Sequence, residues 1–182
     1  DEIEIVDTPG LYGLKEKYNV ATETIEKYKD ITKQYVSQSH LVLYVMDSAN
    51  PIKESHKDDL IWLFRDLNLL SRTVFVLSRF DEVADIEDEW DYRENLKIKQ
   101  DNVIGRLKQL INLTAEEEKG IQILAVAANP YGNGMDYWLQ HKNEYDKISR
   151  LGKLKEDTNK AMEIIFKYYF HRYNIIKLLS GN

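Results

Sequence analysis

Two short stretches of the 182-residue sequence set polar, chemically capable residues directly after apolar runs. The first is Asp7-Thr8-Pro9-Gly10, which closes the run Ile3 to Val6. A carboxylate at such a strand end can hold a magnesium ion through water, and a glycine lets the backbone N–H come close to a terminal phosphate. Asp7 is therefore a candidate metal residue, and Thr8 and Gly10 are candidate phosphate contacts. The second is Ser78-Arg79-Phe80-Asp81, which closes Thr73 to Leu77. The Asp81 carboxylate can accept two hydrogen bonds from the N1–H and 2-amino group of guanine, while the alkyl stem of Arg79 lies over the ring. Adenine presents an acceptor at N1 and would leave that carboxylate unpaired. Charged hydrogen bonds of this kind contribute about 1.5 to 3 kcal/mol each.

Such residues work together only if the fold gathers strand ends at one edge. Four runs rich in β-branched and large apolar residues, Ile3 to Val6, Leu41 to Met46, Thr73 to Leu77 and Ile121 to Ala127, suit strands buried on both faces of a parallel sheet. Helical periodicity lies between them. Ile25, Tyr28, Ile31, Tyr35 and Val36 share one face over residues 21–38, and Leu60, Leu63, Phe64, Leu67 and Leu70 do so after Ser55, an expected N-cap. Val103, Ile104, Leu107, Leu110 and Ile111 mark a third helix, and Thr114 to Glu117 is a capping box opening a short fourth. A helix over residues 135–151 should follow the tight loop Tyr131 to Gly134, with Gly152 as the break before a last, largely apolar helix from Asn159 to Leu179. The alternation predicts a doubly wound α/β sheet, in which ligands sit beyond the carboxyl ends of the strands. Asp7, Asp47, Ser78 to Asp81, and Ala128 with Asn129 all fall at such ends.

Composition narrows the partners. The chain carries 31 acidic and 25 basic residues, a net charge of −6, so no global basic field would draw nucleic acid. It has no cysteine, which removes thiol nucleophiles, disulfides and thiolate metal ligands, and its four histidines show no ligand spacing. Trp62, Trp90 and Trp138 are expected to pack rather than to stack on bases, since no basic groove surrounds them. No apolar stretch is long enough to span a bilayer.

The Ser78-Arg79-x-Asp81 junction resembles the base-reading motif of guanine-nucleotide proteins, where Asn or Thr, then Lys, precede the Asp. Ser keeps a hydroxyl, and Arg keeps a stem and a charge. Ala127-Ala128-Asn129 falls where such domains place a small residue or Asn whose backbone approaches the base. Ile5 to Gly13, Ser39 to Pro51, Phe75 to Glu82 and Ile111 to Glu118 together resemble the bacterial dynamin-like proteins, especially the type associated with toxin secretion through membrane vesicles. The resemblance implies a P-loop GTPase-type, mostly parallel sheet with flanking helices, GTP or GDP and Mg2+ as ligands, and a C-terminal helix leading into a stalk or neck. It further implies GTP hydrolysis coupled to dimerisation, with itself or a related paralogue through the GTPase face, and to membrane remodelling or vesicle release. Lipid would be met through parts outside this chain, and the protein would be cytoplasmic and peripheral to the membrane.

The residue after the Asp-x-x-Gly turn is Leu11, where small signalling GTPases carry a water-orienting glutamine. An aliphatic side chain cannot orient water, so hydrolysis would draw on groups elsewhere. No Gly-x-x-x-x-Gly-Lys-Ser/Thr loop occurs in the sequence. Residues 1–154 are therefore expected to be an N-terminally incomplete GTPase domain, with catalytic groups upstream and little activity in this piece alone, and residues 155–182 a stalk or neck helix. Two other readings use the same motifs: a soluble ribosome- or RNA-associated GTPase, which the acidic balance does not support, and a non-catalytic guanine-nucleotide-binding module, which Ser78 and Arg79 suggest.

Overall fold

The computed structural model describes residues 5–7 and 34–179, with side chains through 165. At its centre is a three-stranded parallel sheet in the order β1 (Val42–Asp47), β2 (Thr73–Ser78), β3 (Gln122–Ala125). Three of the four expected strands are thus present. Of the expected run Ile3 to Val6, the first two residues lie outside the described residues, and Ile5 and Val6 are in no strand, Ile5 being 88% exposed.

β2 is central and apolar on both faces, which is why its sequence shows no alternation. The register sets Tyr44 beside Phe75 beside Ile123, and Met46 beside Leu77 beside Ala125. This face is covered by α1 (Lys57–Ile61) and the π-helical turn Trp62–Asp66 that continues it, and by α2 (Glu89–Ile111). Phe64, Phe75 and Tyr44 meet there with ring centroids 5.5 to 5.7 Å apart, a tilted geometry that suits ring quadrupoles. Val74, Val76 and Val126 point to the opposite face and pack with Ala161, Leu151 and Leu154 of α6 (Leu151–Leu179). Helices therefore cover both faces. On β1, Leu43 and Val45 are left 42% and 62% exposed among the described residues.

Local capping agrees with the sequence in one place and departs from it in others. Thr114 caps α3 (Ala115–Gly120), its Oγ1 accepting from the Glu117 N–H at 3.2 Å while Glu117 Oε2 accepts from the Thr114 N–H at 2.9 Å. Ser55 caps nothing; it lies inside a 3-10 turn, Glu54–His56, that runs into α1. The helix expected over 135–151 is two short ones, α4 (Met135–Gln140) and α5 (Lys142–Ile148). Gly152 is no break. The chain turns instead at Arg150, with φ 60, and α6 then runs continuously through 154/155. Trp138 is buried as expected, whereas Trp90 is 71% exposed, because it follows the Asp88 N-cap on the outer side of α2.

Candidate functional site

β1 and β2 end side by side at Asp47 and Ser78. The Ser78 hydroxyl donates to the Met46 carbonyl at 2.8 Å. Ser48, fully buried, returns its hydroxyl and its N–H to the Ser78 carbonyl at 2.5 and 3.2 Å. Two hydroxyls thus tie the strand ends together. The Ser78 side chain faces its neighbouring strand.

Arg79 follows with φ 55, the left-handed conformation, which is unfavourable by roughly 1 to 2 kcal/mol for a residue with a Cβ. Its guanidinium lies between two carboxylates: one terminal nitrogen donates to Asp47 Oδ2, the other to Glu82 Oε1 at 3.1 Å. The next residue, Phe80, is fully buried, stands edge-on to Tyr92 at 5.3 Å, and donates its N–H to the Val126 carbonyl at 3.1 Å. That anchor fixes Arg79 and Asp81 at the rim, on either side of it.

Asp81 is half-buried, and its Oδ2 accepts from the Tyr131 N–H at 2.8 Å. Its other oxygen accepts no hydrogen bond from a described residue. Ala128 and Asn129 lie just past β3, both exposed. The Ala128 carbonyl accepts from the Tyr145 hydroxyl at 2.9 Å, and Asn129 Oδ1 accepts from the Gly134 N–H at 2.7 Å, closing a tight loop over 129–134. Tyr131 in that loop has φ 55. Its hydroxyl is pushed up to about 12, first by desolvation, then by the charge and hydrogen bond of Glu87 and by the charges of Asp85 and Asp81. Beneath the rim, the Arg150 guanidinium lies 4.4 Å from the Tyr92 ring centre and donates to Glu89 at 2.6 Å, while the Tyr92 hydroxyl donates to the Ala125 carbonyl.

Ser78, Arg79, Asp81, Ala128 and Asn129 therefore share the carboxyl-end rim of the sheet. Asp7 is exposed and makes no hydrogen bond or ion pair with a described residue, and Thr8 and Gly10 lie outside the described residues. Among the described residues no group of three or more His, Cys, Asp or Glu side chains could hold a metal ion. Glu82 and Tyr131 escape sequence reasoning, Tyr131 because only its backbone bond places it. Among the described residues, Arg79, Tyr131 and Arg150 are three of the five non-glycine residues with positive φ; the other two are asparagines, which tolerate it.

Comparison with known proteins bears on the chain as a whole. A solved structure described as "LeoA bacterial dynamin GTPase from ETEC" is similar at 36% identity with a TM-score of 0.72. The match covers 84% of this chain and 28% of that one. The likeness supports kinship with the bacterial dynamin-like proteins. A family model described as the dynamin-like helical domain also matches residues 113–164, from the end of α2 through β3 into α6. No curated protein matches. Because the chain spans little more than a quarter of LeoA, the likeness concerns that portion of the larger protein. Among the described residues, no helix of this dynamin-like chain is long and apolar enough to cross a membrane.

Proposed function

We propose that the rim formed by Ser78, Arg79, Asp81, Ala128 and Asn129 is the base-reading part of a guanine-nucleotide site, in a doubly wound P-loop GTPase-type domain. The observation that carries this reading is the division of labour at Asp81. One carboxylate oxygen is held by the Tyr131 N–H, which fixes the plane of the group, and the other accepts nothing from the described residues. A half-buried carboxylate held this way keeps its free oxygen and the second lone pair of the held one for a planar pair of donors, and guanine offers N1–H and the 2-amino group on one edge. Arg79 stands two residues away with its stem along the same rim.

Asp7 would hold magnesium through water, and Thr8 and Gly10 would meet the phosphates. Magnesium, when bound, would neutralise charge on the phosphate oxygens. In the whole protein, GTP binding and hydrolysis would be coupled to self-association, or association with a related paralogue, and to membrane remodelling or vesicle release, with lipid contacted by parts outside residues 1–182. Similarity to LeoA, a bacterial dynamin GTPase, supports this. Residues 1–154 would form the GTPase unit and residues 155–182 the start of the stalk or neck.

The test is nucleotide selectivity of the complete protein. Asp81→Asn replaces one acceptor by a donor, so guanine nucleotide binding should fall at least tenfold while xanthine nucleotide binding rises. Equal loss of both, or no change in either, would remove the base-site assignment. Liposome binding and GTP-dependent remodelling by the same protein test the membrane part.

A further inference from the structure

We propose that Asp47 and Glu82 are positioning residues that clamp Arg79 so that its alkyl stem forms a fixed wall of the base pocket. The inference rests on the guanine-site reading and names two residues that the base-reading motif does not contain. Arg79 is 58% exposed at its side chain, and a long exposed side chain ordinarily samples many rotamers. Here its two terminal nitrogens are engaged by different carboxylates, Asp47 from the end of β1 and Glu82 from the turn that follows Arg79 itself. With the planar head held at both ends, the stem between Cβ and Cδ has little freedom. A wall fixed before the ligand arrives loses less entropy on binding.

The scaffold behind the clamp is built to hold it. Asp47 ends β1 in register with Ser78, the residue before Arg79, and the Ser48 and Ser78 hydroxyls lock those two strand ends together. The left-handed φ of Arg79 turns its side chain across the rim toward β1. Arginine suits this place better than lysine, because its rigid fork presents separate donors to two acceptors, whereas an ammonium is one point charge. The clamp also explains how a chain with Arg79 in place of lysine can keep a stacking surface.

The experiment is a double-mutant cycle in the complete protein, read as affinity for a fluorescent GDP analogue. Asp47→Asn should weaken binding roughly two- to five-fold, the range expected for one exposed ion pair. In an Arg79→Ala background the same change should have no effect. GDP and IDP should weaken alike, because the wall contacts the ring face and not the 2-amino edge. Equal loss in both backgrounds, or no loss in either, overturns the clamp. Asp81→Asn in the same assay separates the two levels: failure to exchange guanine for xanthine selectivity removes the base site and the clamp with it, and a successful exchange without an Asp47 effect removes the clamp alone. Should Asp47→Asn fail to fold, Glu82→Gln, on the exposed side of Arg79, must show the same Arg79-dependent loss, and its absence counts equally against the clamp.

Discussion

The main-chain N–H of Tyr131 donates to Asp81 Oδ2 at 2.8 Å, joining residues 50 positions apart in sequence. The bond couples the rim carboxylate to the conformation of the 129–134 loop. Removing the acceptor in Asp81→Ala should expose the Tyr131 amide, lowering its hydrogen-exchange protection roughly five-fold for a bond contributing about 1 kcal/mol. Asp81→Asn keeps an amide oxygen that can accept and should retain most of that protection. Equal loss in both variants would show that the loop needs the charge and not the bond.

The Tyr131 phenol should titrate near its raised value of about 12, and Glu87→Gln should bring it down toward 10.0 by removing a neighbouring charge. A folded value above the unfolded one means that the neutral phenol is favoured in the native state. That contribution is fully present below pH 10 and is lost as pH rises toward 12. Ultraviolet difference titration of wild type against Tyr131→Phe isolates this one phenol.

Glu117 is held down to about 2, first by its hydrogen bond from Arg65 and then by the Thr114 N–H. The Arg65 guanidinium grips both carboxylate oxygens, at 2.5 and 3.0 Å, and also donates to the Ile111 carbonyl at 2.9 Å, so it staples α3 to the end of α2. A depressed carboxyl stabilises the fold above its ordinary value of 4.5 and ceases to do so as pH falls toward 2. The stability advantage of wild type over Glu117→Gln should therefore shrink through that window. Urea denaturation at a series of pH values measures it, and a constant difference from pH 5 to pH 2 would contradict the staple.

Phe75→Ala should destabilise the domain by about 3 to 5 kcal/mol, because Phe75 is fully buried on the central strand between Tyr44 and Phe64. Leu43→Ala, at a side chain of β1 that is 42% exposed, should cost under about 1 kcal/mol. Chemical denaturation of the two variants side by side checks the contrast.

Three strands and the capping box at Thr114 were legible because each is encoded locally, by an unbroken apolar run or by paired side chains three residues apart. The helix breaks were less so. Gly152 looks like a stop, yet a glycine is tolerated near a helix start, and the turn falls at Arg150, whose guanidinium lies over Tyr92 and donates to Glu89. Likewise Trp90 reads as a packing residue, but its place beside the Asp88 N-cap turns it outward.

By itself the sequence determined that Ser78, Arg79, Asp81, Ala128 and Asn129 follow apolar strand-forming runs, since β-propensity and its abrupt end are properties of neighbouring residues. Only the tertiary structure decided what those side chains meet. Parallel pairing set Asp47 beside Ser78, and a crossover through α2 and α3 brought the 129–134 loop over Asp81. Those contacts join residues 31 and 50 positions apart, and they depend on strand register and loop closure, which no local pattern of residues specifies.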